Sequence, residues 1–420
     1  MTNRDFTALW VGQALSQLGT SVSAFAYPVI VLGLTGSAVA AGSVAAVSAA
    51  TAFALRLPAG AWVDRCDRRR VMVLSDAVRA LALTSLLIVD MADALTLPHI
   101  LACAAVESAF GVLFGPAEAA ALHRIVPADE VRLAVARNQA RSHLAGLLGP
   151  SLGAVLISAG RGLPFAADAI SYALSLVCVL SLRTPLPAPR RRRARGGGLH
   201  WLWRDRFLRF AVPWCGAACA VFSSIGIVVL VLVQQGGATT VQTGATFSIT
   251  AAGGVLGAVL APWLQRRLAP ARTLVVFGWV AATVTPLLLV TDSPYLIGGI
   301  GALAFLMAPA VNAVIFGHIT ATAPDELQGR AHAAAMQVIM FLTPVSPLLA
   351  GLLLDSVGPG ATVCAYAAIL LLLAVTATSV LERTRDRGTS TRDRTRPRQD
   401  RGLGPGAGAG GAGARPGPLR

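Results

Sequence analysis

The sequence predicts an all-α membrane protein of about twelve transmembrane helices in two six-helix repeats. Three observations carry that reading: a shortage of charge, long apolar runs of regular length, and landmarks that recur at one fixed offset. The chain has 420 residues, 55% of them hydrophobic and only 13% charged, with a mean hydropathy of +0.66. Soluble domains carry about 25% charged residues. The apolar residues are collected into runs of about 20, the length a helix needs to cross about 30 Å of hydrocarbon. Glycine at 60 and 257, proline at 127 and 324, and proline at 150 and 347 all share a separation of 197 (257 − 60, 324 − 127 and 347 − 150). One such coincidence would be noise, whereas three imply parallel repeats, an arrangement that encloses a cavity between two bundles.

The runs lie near 6–32, 38–61, 71–90, 96–118, 142–160 and 164–183, then near 208–234, 241–264, 272–291, 295–321, 331–354 and 359–381. Helix is the state they require, because a lipid-facing segment must satisfy its backbone N–H and C=O groups internally and these runs lack the alternation of barrel strands. Their many small residues favour close helix packing. The expected organisation is a bundle over 1–183, a cytoplasmic linker over 184–207, a second bundle over 208–381 and a disordered basic cytoplasmic tail over 382–420. The stretch 184–200, rich in Pro, Arg and Gly, has no composition for a core.

Every basic residue counted with the lysines is arginine, since the chain contains no lysine. Arg4, Arg65, Arg68 to Arg70, Arg124, Arg132, Arg137, Arg190 to Arg193, Arg204, Arg206, Arg266, Arg267, Arg272 and Arg330 fall in alternate connectors. The opposite connectors hold Arg161 with Asp90, Asp93, Asp292 and Asp355. The positive-inside rule then places both termini and the linker in the cytoplasm. The net charge of +15 is accounted for by those loops and the tail, so nucleic acid is not an expected partner. The first run is too long for a signal-peptide core and reads as a retained span.

No Walker-type phosphate loop is present, the six cysteines form no C-x-x-C, and His123, His143, His318 and His332 lack metal-ligand spacing. No nucleophile–base set appears either, and so neither an enzyme nor a metal or other cofactor is expected.

Charges inside spans do call for an account, since each costs about 2.5–3.5 kcal/mol on insertion scales. Glu107 lies at the centre of its span and is the leading candidate for proton coupling, with Asp168 second. Asp76 and Arg79, three apart, are placed to form a same-face ion pair, and Arg56 to snorkel. Gln13 and Gln17 share a helix face, and with Asn312, Met336, Gln337 and Met340 they are the candidate lining of a large apolar cavity bearing scattered hydrogen-bonding groups.

Between the second and third runs stands Gly60-Ala61-Trp62-Val63-Asp64-Arg65-Cys66-Asp67-Arg68-Arg69-Arg70, which resembles the cytoplasmic G-x-x-x-D-R-x-x-R-R signature of the major facilitator superfamily, with Asp67 where Gly is common. Gly149-Pro150-Ser151-Leu152-Gly153-Ala154 resembles that superfamily's antiporter motif, ending in Ala rather than Gly. Other stretches resemble its drug-exporting branch, which includes macrolide efflux proteins and siderophore exporters. The resemblance implies the major facilitator fold and a monomeric plasma-membrane exporter of the bacterial cytoplasmic membrane, exchanging a bulky amphipathic small molecule for protons. It also implies a gating latch of Gly60, Asp64, Arg65, Arg68, Arg69 and Glu118 against the eleventh span, with Arg65 or Arg68 as the expected partner of Glu118. Gly149, Pro150 and Gly153 would seal the cavity by packing. The first span carries no acid at Gly19-Thr20, unlike many proton-driven relatives. A facilitator-type importer or uniporter, and a transport-inactive sensor or scaffold, are the alternative readings.

Overall fold

A computed structural model describes residues 4–63, 65–127, 129–186 and 197–394. Asp64 of the expected latch, the arginine run of the linker and the end of the tail (395–420) lie outside the described residues. The first half contains α1 (Arg4–Thr35), α2 (Ala38–Val63), α3 (Arg68–Met91), α4 (Leu97–Ile125), α5 (Val131–Ala159) and α6 (Leu163–Leu180). After a short α7 (Gly198–Arg204) come α8 (Arg206–Gln235), α9 (Thr240–Arg267), α10 (Pro270–Val284), α11 (Pro294–Phe305), α12 (Ala308–Thr322), α13 (Asp325–Ile339) and α14 (Ser346–Arg394).

Eleven helical stretches among the described residues are long and apolar enough to cross a membrane, against about twelve expected. The difference arises at 331–354, which is not one helix. α13 stops at Ile339 and α14 begins at Ser346, because Pro344 and Pro347 each lack an N–H and crowd the preceding turn. α14 then continues past Asp355, broken only at Gly358, whose φ of 80° is left-handed. Proline punctuates the second half elsewhere too. Pro286 lies in a 3₁₀ turn over Thr285–Leu289, and Pro309 sits in the first turn of α12 just after a break.

α1 packs against α2, α5 and α6, α3 against α4 and α6, and α2 against α4. In the second half α9 packs against α11 and α12, and α13 against α7 and α8. The two halves meet where α5 lies along α9 and where α2 crosses α8. Both ends of the linker are anchored: Leu186 is buried with α1, α3 and α4 residues, and Leu202 with α8, α12 and α13 residues. Among its described residues, the segment 184–200 therefore contributes Leu186 to a core that composition alone did not assign it. The residues from Ser379 onward form a separate unit, helical as far as Arg394. Helix thus extends into the segment expected to be disordered, since propagation needs only one more hydrogen bond per residue once a helix exists.

Candidate functional site

The interior of the first half holds a connected polar cluster. Glu107 on α4 is 7% exposed. Its Oε2 accepts a hydrogen bond from Tyr27 Oη at 2.9 Å, and its Oε1 one from Tyr172 Oη at 3.0 Å. Arg79 on α3 donates from Nη2 to Thr20 Oγ1 at 3.2 Å and also to Tyr172 Oη. Its guanidinium lies 3.9 Å from the centre of the Tyr172 ring, a cation–π contact. Tyr172 thus joins the carboxylate to the cation. Thr20, Tyr27, Arg79, Glu107 and Ser108 line a cavity of about 260 Å³.

Asp168 on α6 is fully buried behind this wall, with Ser171 Oγ donating to its Oδ1 at 3.0 Å. It fits because α1 carries glycine at position 19, where a Cβ would come 3.0 Å from the Asp168 Cα and collide with its carboxylate. Asp76 on α3 is equally buried. Ser175 Oγ donates to its Oδ2 at 2.7 Å, and Gln13 Nε2 donates to that serine at 2.8 Å. Glu107, Asp168 and Asp76 all act electrostatically on the one guanidinium of Arg79.

Several expectations about partners need correction. Asp76 and Arg79 form no ion pair, because Arg79 turns toward Thr20 and Tyr172 while Asp76 faces Ser175. Glu118 does not pair with Arg65 or Arg68; its Oε1 lies 2.9 Å from Arg141 Nη2 on α5. Arg141 was missed because it sits one residue before the run that begins near 142. Its Nε donates to Gln17 Oε1 at 2.9 Å, and Gln17 Nε2 donates to Ser142 Oγ at 3.0 Å. Gln13 and Gln17 are therefore hydrogen-bonded within the first half. Asn312 is exposed, Met336 is half-buried and Met340 packs against the second-half core. Gln337 does face a cavity, of about 640 Å³ and almost wholly apolar, with Leu57, Arg330 and Phe341. Its Nε2 donates to Phe53 O at 3.4 Å across the two halves.

Around the expected latch, Asp67 caps α3 by accepting from Arg69 N at 2.9 Å and Arg70 N at 3.2 Å. That is the physical use of the residue that departs from the common signature. Arg68 is buried, its N donating to Leu186 O, and Arg69 donates to Leu180 O. Arg65 is exposed, and a Cβ on Gly60 would meet nothing within 4 Å. In α5 a Cβ on Gly149 would lie 2.9 Å from the Ser21 carbonyl carbon, and one on Gly153 3.1 Å from Val22 O. This stripe seats α5 on α1. The other side of the same motif faces α9: a Cβ on Gly244 would lie 2.7 Å from Pro150 O and collide with Ala154, while Ser151 Oγ donates to Ser248 Oγ at 2.8 Å. A second cavity of about 330 Å³ opens there, lined by Phe25, Pro150, Leu230 and Phe247 among others. Ala24 borders both it and the Glu107 cavity, so a polar wall and an apolar wall adjoin.

The chain is similar to known transporters along most of its length. It is 27% identical over 387 residues to the multidrug efflux pump Tap of Mycolicibacterium fortuitum, covering 87% of this chain and 92% of that protein. It is 26% identical over 372 residues to the pump of the same name from Mycobacterium tuberculosis, covering 84% and 88%. Among solved structures, a bacterial homologue of the iron transporter ferroportin in an inward-facing state superposes with a TM-score of 0.72 at 16% identity, over 90% of this chain and 99% of that one. The nucleoside transporter NupG gives 0.72 at 13% identity over 91% and 99%. These likenesses concern the fold. The sequence pattern of the Major Facilitator Superfamily matches residues 9–342, and with the helical architecture this establishes that the chain belongs to that superfamily of membrane transporters.

Proposed function

We propose that the protein exports a bulky amphipathic small molecule across a bacterial cytoplasmic membrane in exchange for protons. The observation that carries this reading is Glu107. It is a carboxyl held by two tyrosine hydroxyls on the wall of a cavity, tied through Tyr172 to Arg79, and that cavity shares Ala24 with a neighbouring, more apolar one. A proton arriving on Glu107 removes one charge from the cluster, and a substrate entering the apolar side competes for the same electrostatic field. Asp168, buried behind Glu107, is the reserve site for a second proton. The similarity to pumps named for multidrug efflux supports export of drug-like molecules.

The distribution of arginine supports a cytoplasmic side for both termini and the linker. In that orientation the turns at Gly36 and Gly358 lie at the outer end, and Arg65 to Arg70 at the inner one. Alternating access then amounts to rocking the 208–381 bundle against the 1–183 bundle. Gly60 and Arg65 are the described part of the latch left to meet the α13 end when the inner side closes. Glu118 serves it indirectly, by fixing α5 through Arg141. The protein is expected to act as a monomer.

The test is transport in everted vesicles across a panel of lipophilic compounds, with an imposed proton gradient, comparing Glu107→Gln with the parent. Gradient-driven transport should fall by about tenfold or more, as befits loss of a coupling group. Equal transport by both would remove Glu107 from the mechanism. Downhill transport that ignores the gradient would favour a facilitator, and no movement of any compound would favour a sensor.

A further inference from the structure

The repeat gives the molecule two matching seams between its halves. Pro150 on α5 and Pro347 on α14 are repeat partners, and each offers its carbonyl to a glycine of the opposite half. Gly244 of α9 meets Pro150, and Gly42 of α2 meets Pro347 with no room for a Cβ. Gly351 reinforces the second seam, since a Cβ there would lie 2.6 Å from Ala38 O.

The seams differ in how the approaching helix is capped. α9 caps itself: Thr239 Oγ1 accepts from Gln242 N at 3.3 Å, and the Gln242 side chain accepts from Thr239 N at 2.9 Å. α2 is capped from across the seam. Asp355 accepts from Ser37 Oγ at 2.8 Å, from Ala38 N at 3.0 Å and from Val39 N at 3.2 Å. Ser37 Oγ itself accepts from Ala40 N at 3.3 Å. A carboxylate on the first amides of a helix is favoured both by hydrogen bonding and by the helix dipole. Separating the halves at this seam must strip α2 of that cap, whereas α9 keeps its own in any arrangement.

We infer that Asp355 is a positioning residue that holds the α2–α14 end of the molecule shut and sets how often it opens. This rests on the reading in which the two ends open alternately. The partner lies within the same chain, and the contact is one that water can replace, which suits a seam that must break and re-form. The α5–α9 seam keeps its helix cap within one half, so losing Asp355 removes nothing from it.

The test uses full-length protein lacking the six native cysteines, in lipid. Spin labels at Leu34→Cys and Val357→Cys, both exposed, report the α2–α14 distance; a pair at Ala159→Cys and Val241→Cys reports the α5–α9 distance. Asp355→Asn should raise the ratio of separated to joined α2–α14 ends by about tenfold, as expected for loss of charge-assisted hydrogen bonds, and leave the α5–α9 pair unchanged. Ser37→Ala should shift the ratio the same way by less, and Asp355→Glu should bring it back toward the parent. Parent-like distances in Asp355→Asn, or equal loosening of both seams, would overturn the inference. If Asp355→Asn does not purify, a reducible thiol cross-link between Leu34→Cys and Val357→Cys, which keeps Asp355, must stop uptake of ethidium by everted vesicles, with reductant restoring it. Undiminished uptake in the cross-linked protein would overturn the inference too. A parent that moves no dye would sink the export reading, and the distances would still decide the latch.

Discussion

Asp76, Arg79, Glu107, Arg141 and Asp168 are all buried inside the helices of the first half, whereas the buried polar side chains described in α8 to α14 are serines and threonines. The threonines of the second half mostly satisfy themselves within their own helix, as Thr243 does on Thr239 O and Thr285 on Ala281 O. Those bonds ask nothing of a charged group elsewhere. The charges of the first half depend on one another across α1, α3, α4, α5 and α6. The described interior of the first half is thus rich in ionisable groups, and that of the second is neutral.

That contrast can be broken most directly at Arg79. Arg79→Ala removes the hydrogen bonds to Thr20 and Tyr172 and the contact with the Tyr172 ring, and should destabilise the protein by about 3–5 kcal/mol, two hydrogen bonds from a charged donor at about 1.5–3 kcal/mol each. Thermal unfolding in detergent would read it, and a change below 1 kcal/mol would mean the cluster is not held by that guanidinium. Arg141→Ala should cost about 2–3 kcal/mol, because Glu118 is partly hydrated, while Arg141→Met with Glu118→Leu should recover most of the loss. Recovery would separate the worth of the pair from the penalty of an orphaned charge.

The α1–α5 packing offers a sharper contrast within one helix. Gly149→Ala should cost about 1–3 kcal/mol by overpacking against Ser21. Gly146→Ala, where a Cβ would meet nothing within 4 Å, should gain about 0.5–1 kcal/mol from helix propensity. Equal effects at the two sites would deny the close approach.

The second half should respond more weakly. Thr246 Oγ1 donates to Pro294 O at 2.9 Å, and Thr246→Val should cost about 1 kcal/mol. Asp205 adds a stability effect that depends on pH. Burial pushes its carboxyl up, but hydrogen bonds from Leu208 N and the His318 ring outweigh that and hold it below its ordinary value. A depressed value means its stabilisation is present above the unfolded carboxylate range near pH 3.9 and fades as pH falls through the folded value. Asp205→Asn should therefore lose about 1 kcal/mol at neutral pH, and the gap from the parent should close below about pH 4.

The spans and the repeat were legible because hydrocarbon thickness imposes a length on each apolar run, and because Pro127 and Pro150 recur at 324 and 347. Glu107 was legible as a charge in the middle of such a run. Its tyrosine partners were not: Tyr27 and Tyr172 sit in apolar runs as ordinary amphipathic rings, and only the fold brings them to one carboxyl. Arg141 hid at the edge of its run, where an arginine reads as a topology marker. The same holds for Asp355, counted among the outer acids with nothing local to reveal that it caps a helix 316 or more residues away. Asp67 looked like a blemish in a signature and proved to be the cap of α3.

The two leucines that bracket the linker have a practical corollary. Leu186 is fastened to one bundle and Leu202 to the other, so each bundle already owns its own end of the strap. A gene split between those two codons should yield two polypeptides that insert separately and, when made in the same cell, find each other through the α5–α9 face to rebuild a working carrier.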